Sequence, residues 1–154
     1  MRLIGRIDIK NEFVIKGIHL EGLRKLGNPN EFASRYFHEG IDEIVFHDTV
    51  ASLYERNNIF DVIEKACEQI FIPIIISGGI RSLKDIELAL KSGADKVAIN
   101  TQAVKNPSFI NEAAKSFNAN LPMANLASEV YQNAVEAGFG NIDYTGILAY
   151  LKKI

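Results

Sequence analysis

The sequence predicts an α/β fold in which four consecutive strand–helix units form a parallel sheet. Short runs that are apolar on both faces are typical of buried parallel strands, and segments of helical period alternate with them through short loops. The stretch Gly40–Asp48 is also echoed by Gly93–Thr101, 53 positions later. Such a repeat of two strand–helix units is the pattern of a (β/α)8 barrel built by duplication.

We therefore predict half of a TIM-type (β/α)8 barrel with parallel strands, followed by two C-terminal helices. A doubly wound sheet is the alternative, although no Gly-x-Gly-x-x-Gly motif follows the first strand.

The first predicted elements are apolar runs separated by turn residues. A short run broken by Gly5 and Arg6 is strand one, and the β-rich run after it belongs to a long loop or hairpin. Turn residues then precede a helix with regularly spaced aromatic residues, which Gly40 ends. These elements are strand Leu3–Ile9, the run Phe13–Leu20, helix Glu31–His38, strand Glu43–His47 and helix Asn57–Phe71.

The following segment continues the alternation of strands and helices. An apolar strand ends at Ser77, and Ser82 has the position of a helix N-cap. Beyond residue 117 the pattern is helical, with Pro122 near a helix start and Gly138 at its end. These elements are strand Pro73–Ile76, helix Leu83–Lys91, strand Lys96–Asn100, helix Pro107–Phe117 and a final helix Asp143–Leu151.

Composition excludes several function classes. The 154 residues are 47% hydrophobic and 23% charged, with a formal net charge of −2, so no basic field exists to hold nucleic acid or an anionic membrane. Arg2, Arg6 and Asp8 interrupt the first apolar run, which argues against a signal peptide, and no run approaches the roughly 20 residues of a membrane span. Since the single cysteine cannot form an internal disulfide, we predict a cytoplasmic protein.

Two glycines and two polar residues follow neighbouring strands and predict a phosphate site. Function in parallel α/β folds gathers at the carboxyl ends of strands. Backbone amides approach an anion closely at Gly78 and Gly79, where no Cβ intervenes, and the helix after Ser82 turns its positive end toward them. Asn100 and Thr101 add an amide and a hydroxyl. The alternative is that the glycines only serve a tight turn.

Asp8 ends an otherwise apolar strand and is a candidate for general acid–base work. The alternative is a structural carboxylate that caps the following loop. Asp48 ends the next strand in the same way and has the same alternative. His47 is the best candidate among the histidines for a position at the mouth of the site. The three histidines are not spaced as a metal site, and we predict neither a metal nor a cofactor.

With these residues the sequence resembles the cyclase subunit of imidazole glycerol phosphate synthase, an enzyme of histidine biosynthesis. The resemblance runs without large gaps from Arg2 to about Phe117 and is more specific than any single motif. The stretches that carry it are Asp8–Lys10, Val14–Gly17, Gly40–Phe46, Ala51–Ser52, Gly78–Ile80 and Gly93–Thr101. We accordingly predict a phosphate-binding half barrel over residues 1–117 and a separate helical tail over residues 118–154.

The resemblance implies a reaction and a role for single positions. The family is a (β/α)8 barrel that takes ammonia from a glutaminase partner. It converts a phosphorylated ribulosyl-aminoimidazole into imidazole glycerol phosphate and an aminoimidazole carboxamide ribotide. Asp8 matches its first catalytic aspartate, and Lys16 matches the lysine of its mobile loop. Gly79, Asn100 and Thr101 match one of its phosphate sites. Arg2, Glu43 and Lys96 match its ammonia gate, and Asp95 matches a carboxylate at its glutaminase-facing end.

The sequence also departs from the family pattern. Arg6 replaces a cysteine and Ser77 replaces the first of three glycines, as also happens in relatives that supply ammonia for amidation of surface-polysaccharide sugars. The second catalytic aspartate, on strand five, has no counterpart, and the tail after residue 120 resembles the C-terminus of 3-hydroxyisobutyrate-type β-hydroxyacid dehydrogenases. The alternatives are therefore a non-catalytic phosphate-binding half barrel or a glutaminase-docking module. Either a homodimer or the tail helices must cover the sheet edges.

Overall fold

The computed structural model describes residues 1–18, 22–51, 59–139 and 146–152. The chain divides into two compact units, Met1–Ile110 and Asn111–Ile154. The predicted domain boundary after residue 117 remains a prediction. Some residues named in the sequence analysis lie outside the described residues, namely Leu20, Ser52, Asn57 and Asp143, and so does one of the three histidines, His19.

The first unit is built on one six-stranded sheet in the order β3-β2-β1-β4-β5-β6. Its strands are β1 Ile4–Lys10, β2 Phe13–Ile18, β3 Gly22–Gly27, β4 Glu43–Asp48, β5 Ile74–Ser77 and β6 Lys96–Ala98. Strands β1, β4, β5 and β6 are parallel neighbours, whereas β2 and β3 form an antiparallel hairpin beside β1. The predicted α/β fold with four parallel strands is confirmed, and the run after strand one is a hairpin.

Helices follow the parallel strands, and all but the short helix directly after β6 are predicted by the sequence. Those that begin in the first unit are α1 Pro29–His38, α2 Ile59–Cys67, α3 Leu83–Lys91, α4 Thr101–Lys105 and α5 Ser108–Ser116. In α1 the Asn28 side chain caps the first turn by accepting a hydrogen bond from the Asn30 amide. The N-cap predicted at Ser82 is confirmed, and it forms a capping box with Asp85.

The two faces of the parallel strands differ in burial. On one face, here called the covered face, apolar side chains are fully buried, and they are Ile7, Ile9, Ile44, Phe46, Ile74 and Ile76. Helix residues Ala33, Ile63, Ala66, Ile86 and Ala89 are buried as well, so the core lies between this face and the helices. The other face, here called the open face, carries Arg6, Asp8, Val45, His47, Ile75 and Ser77, which are half-buried or exposed.

The internal repeat seen in the sequence is also a repeat of hydrogen bonds. The Asp42 carboxylate, just before β4, accepts a hydrogen bond of 2.6 Å from the Leu3 amide at the start of the neighbouring strand. The Asp95 carboxylate, just before β6, accepts one of 2.8 Å from the Ile74 amide in the same relation. Each aspartate therefore ties the entry of one parallel strand to the entry of the next.

The structure differs from the predicted elements at several places, and α4 was not predicted. Strand β3 was not predicted, because its residues are exposed and pair only with β2. Strand β6 ends at Ala98 rather than at Asn100, because Asn100 leaves the extended conformation (φ −128°, ψ −79°) and α4 begins at once. Helix α2 ends at Cys67 rather than at Phe71.

The second unit is helical, as predicted for the tail. Helix α6 spans Pro122–Ala134 and continues into a π-type turn, Val135–Phe139, in which Gly138 has a φ of +90°. The last described helix is α7, Gly146–Leu151. In the described part of the chain, no helix is long and apolar enough to cross a membrane.

Candidate functional site

A row of polar side chains crosses the open face near the carboxyl ends of the strands. Asp8 on β1 lies opposite His47 on β4, and His47 lies opposite Ser77 on β5. The register extends the row to Ala98 on β6. Because strand neighbours in register share a face, the sequence places an acid, a base and a hydroxyl side by side.

A cavity of about 230 Å³, here called the carboxyl-end cavity, opens beside this row. The four residues predicted for a phosphate site all line it, together with three members of the row. They are Gly78, Gly79, Asn100 and Thr101, with His47, Ser77 and Ala98. The side chain of Asn100 makes no capping hydrogen bond to α4.

The two glycines are required by the backbone here. Gly78 has a φ of +88° and Gly79 one of +75°, which side chains other than that of glycine rarely allow. A Cβ at Gly78 would also overlap the backbone carbonyl oxygen of Asp48. The carboxylate of Asp48 accepts hydrogen bonds from the amides of Val50 and Ala51, at 2.9 and 2.8 Å. Asp48 therefore holds its own loop, which agrees with the structural alternative proposed for it.

The start of α3 contributes less to an anion site than the sequence indicated. The Asp85 carboxylate accepts hydrogen bonds from the amides of Arg81 and Ser82, at 3.0 and 2.9 Å. These two amides are therefore already satisfied by a negative charge at the helix end. The amides at the glycines remain the backbone groups suited to an anion.

Sequence reasoning missed two cations of the carboxyl-end cavity, Arg81 and Lys105. Arg81 follows the glycines after one apolar residue, and Lys105 stands four positions after Thr101. One helical turn separates positions i and i+4, so Lys105 follows Thr101 on the same side of α4. That spacing becomes a signal only once α4 is known to be a helix.

Asp8 and Lys16, the two predicted catalytic positions, lie on the neighbouring strands β1 and β2. The Asp8 carboxylate accepts a hydrogen bond of 2.7 Å from Arg6 Nε, and 40% of its side chain is exposed. Lys16 is an exposed residue of β2, paired with Arg24 across the hairpin. Within the described residues, Lys16 lines no part of the carboxyl-end cavity.

Three predicted residues meet at the opposite, amino ends of the strands, and we call them the amino-end cluster. Glu43 is only 1% exposed and accepts from Lys96 Nζ at 2.5 Å and from Arg2 Nη1 at 3.3 Å. The hydrogen bond from Lys96 is the main reason that the pKa of the Glu43 carboxyl lies below its usual range. Asp95 is not part of this cluster, because its carboxylate binds the Ile74 amide.

Known proteins are similar to this sequence. A family model described as "Histidine biosynthesis protein" matches residues 2–144. A Legionella pneumophila protein named imidazole glycerol phosphate synthase subunit HisF is 56% identical over 117 residues, which are 76% of this chain and 55% of that protein. Proteins of the same name from Methanocorpusculum labreanum and Thermococcus onnurineus are 48% and 47% identical over 75% and 80% of this chain, and over 43% and 49% of their own length.

The chain spans about half the length of the curated relatives that it matches. The family match nevertheless covers most of the chain, including the strands that carry the carboxyl-end cavity and the amino-end cluster. The chain therefore belongs to the histidine biosynthesis protein family.

Proposed function

We propose that this chain supplies one half of an ammonia-dependent cyclase of the imidazole glycerol phosphate synthase type. The substrate is a phosphorylated ribulosyl-aminoimidazole, and the products are imidazole glycerol phosphate and an aminoimidazole carboxamide ribotide. One observation carries the proposal. The row of polar side chains that includes Asp8 lies at the same ends of the same parallel strands as the carboxyl-end cavity. An acid–base group thus stands beside a site that suits a phosphate.

The lining of the carboxyl-end cavity supports binding of a phosphate group. The glycine backbone supplies amides, Asn100 and Thr101 supply neutral donors, and Arg81 and Lys105 supply positive charge. A volume of about 230 Å³ suits a phosphate and the atoms next to it rather than the whole substrate. The rest of the substrate then extends over the open face toward Asp8, where the chemistry takes place.

The amino-end cluster supports a role in ammonia entry. Arg2 and Lys96 both bind the buried carboxylate of Glu43 and so block the amino ends of the strands. Motion of these side chains can separate the ion pairs and open a path. In this proposal a glutaminase subunit docks at these ends, near Asp95, and delivers ammonia between the strands. A cytoplasmic location follows from such a biosynthetic role.

A second copy of the chain is the proposed route to a complete barrel. In the described residues, β6 has no strand on its outer side, and β1 pairs with β2 only at Ile9 and Lys10. If β6 of each copy pairs in parallel with β1 of the other, eight parallel strands close into a barrel. Both copies of Asp8 then stand at one mouth, so the second copy supplies a second aspartate.

Light scattering after size exclusion, together with an assay of product formed from the synthetic substrate and ammonium salt, tests the proposal. We expect a dimer whose turnover is lost in Asp8→Asn but kept in Asp61→Asn, which removes an exposed aspartate of α2. Binding of inorganic phosphate should be lost in Asn100→Ala. Phosphate binding without turnover would instead favour the non-catalytic half barrel, and glutaminase binding without phosphate binding would favour the docking module.

A further inference from the structure

His47 is the titratable side chain at the centre of the row, and its ring is held by a specific contact. His47 Nδ1 lies 2.9 Å from Ser77 Oγ on the neighbouring strand. If Nδ1–H donates this hydrogen bond, the second ring nitrogen, Nε2, keeps its lone pair and is available to accept a proton. Both residues line the carboxyl-end cavity, so the ring stands at the wall of the proposed phosphate site.

The surroundings of His47 favour the neutral form of its ring. Burial is the main cause that lowers the pKa of His47, and the positive charge of Arg6 acts in the same direction. The carboxylates of Asp8 and Asp48 oppose them. The charged groups around the ring are Arg6 and Asp8 from β1, Asp48 from β4, and Arg81 and Lys105 from the cavity wall.

A bound dianion changes this balance. A phosphate monoester carries nearly two negative charges at neutral pH, and a negative charge within a few ångströms favours the charged form of imidazole. Occupation of the carboxyl-end cavity therefore draws a proton onto the ring. Substrate binding thus increases the fraction of His47 rings that carry the acidic proton.

We propose that His47 is a second acid–base residue of this site, loaded with a proton by substrate binding, and that Ser77 positions its ring. The inference rests on the proposed cyclase function and adds to Asp8 a second side chain that can transfer a proton. Both residues are on the same chain and on adjacent strands, so this role needs no residue from another subunit.

The addition of ammonia to the substrate can be written so that atoms and protons balance. The lone pair of ammonia forms a bond to the ketone carbon of the substrate, and the π electrons of the carbonyl move to its oxygen. The imidazolium of His47 gives its proton to that oxygen. The nitrogen, which now carries one proton too many, returns a proton to the ring. The product of the step is a neutral carbinolamine, and His47 is restored to the state in which it began.

Sulfate binding at different pH values tests the first half of the proposal. Sulfate remains a dianion between about pH 5 and 8, so any pH dependence in that range comes from the protein. We expect the wild-type chain to bind sulfate about tenfold more tightly at the lower pH, since one unit of linked pKa shift equals a tenfold change in affinity. His47→Gln should bind sulfate with no such dependence.

The matched control is His38→Gln, which removes an exposed histidine whose ring nitrogen lies near the Ser34 carbonyl oxygen. It should keep the wild-type pH dependence. Ser77→Ala should reduce the dependence and change the ¹⁵N shifts of the His47 ring, and Ser77→Thr, which keeps the hydroxyl, should restore both. A purely structural role for Ser77 would leave the ring nitrogens unchanged.

Turnover with ammonium salt tests the second half. Loss of a proton-transfer group lowers kcat by about 10²- to 10⁴-fold, so we expect that loss in His47→Gln and none in His38→Gln. Wild-type kcat in His47→Gln, or sulfate binding with equal pH dependence in both variants, would overturn the inference. Absence of turnover in every variant, with the sulfate linkage intact, would count against the proposed function and leave the proton uptake by His47 standing. No sulfate binding by the wild type would overturn both.

Discussion

Charged side chains are arranged differently at the two ends of the parallel strands. At the amino ends, the buried carboxylate of Glu43 forms ion pairs with two cations, so the charges of the amino-end cluster are paired within the chain. At the carboxyl ends, glycine amides, two neutral donors and two cations line a cavity of about 230 Å³. One end of this sheet therefore uses charge to stabilise the strand entries, whereas the other end places two cations in the wall of a cavity.

The same repeat produces both arrangements. Glu43 and Lys96 occupy equivalent positions of the two repeats, 53 residues apart, and bind each other directly. His47 and Asn100 are likewise equivalent, and both line the carboxyl-end cavity. Duplication of a strand–helix unit therefore brings matched positions together at each end, and the residue types at those positions decide what the end does.

The largest expected effect comes from adding a side chain at the carboxyl ends, where the backbone of Gly78 lies close to that of Asp48. Gly78→Ala should lower the free energy of unfolding by at least about 3 kcal/mol, because its Cβ adds an overlap with the Asp48 carbonyl to an unfavourable φ. Gly40→Ala is the matched control, since Gly40 also has a φ of +88° but has open space around it. Its cost should be only the conformational one, about 1–2 kcal/mol. Urea unfolding of both variants measures the difference, and equal losses would contradict the overlap.

A smaller but still clear loss of stability is expected from Glu43→Gln at the amino ends. The substitution leaves Arg2 and Lys96 facing each other without the carboxylate that both bind. The midpoint of thermal unfolding should fall, and the double variant Glu43→Gln, Lys96→Met should recover part of the loss. Asp8→Asn, which changes an exposed ion pair at the other end, should have little effect on the midpoint. A larger fall in Asp8→Asn than in Glu43→Gln would reverse the comparison.

The two ends should also respond to acid in different ranges. The pKa of Glu43 is lowered in the folded chain, so its contribution to stability is present above the ordinary glutamate value of 4.5 and is lost as the pH falls below it. The pKa of His47 is lowered by burial, so the unfolded chain binds a proton first, and stability declines as the pH falls below about 6.5. Unfolding midpoints between about pH 3 and 8 should show two declines. Glu43→Gln should remove the lower one and His47→Gln the upper one.

The smallest expected effect concerns the helix cap behind the carboxyl-end cavity. Ser82→Ala removes the hydroxyl that accepts a hydrogen bond from the Asp85 amide, and it should cost about 1 kcal/mol. Ser82→Asp keeps an acceptor and should lose less. Chemical denaturation is a sufficient measurement. If Ser82→Ala improves phosphate affinity, the helix end contributes to the anion site after all.

The sequence by itself determined the alternation of strands and helices and most of the site. Runs such as Ile74–Ile76 are apolar on both faces, which is typical of a buried parallel strand. The glycines at 78 and 79 and the polar pair at 100 and 101 were grouped by one rule, that the carboxyl ends of parallel strands meet at one edge. The structure brings all four together around one cavity.

Tertiary structure decided what depends on register, on which face a side chain occupies, and on local backbone departures. Periodicity does not say that His47 lies opposite both Asp8 and Ser77, because strand register is fixed by pairing partners far apart in the sequence. It also does not say that Asp85 occupies the start of α3, or that α4 begins at Thr101 and carries Lys105 to the cavity. Local pattern specifies elements, whereas a site is made by contacts between elements, and those contacts exist only in the folded chain.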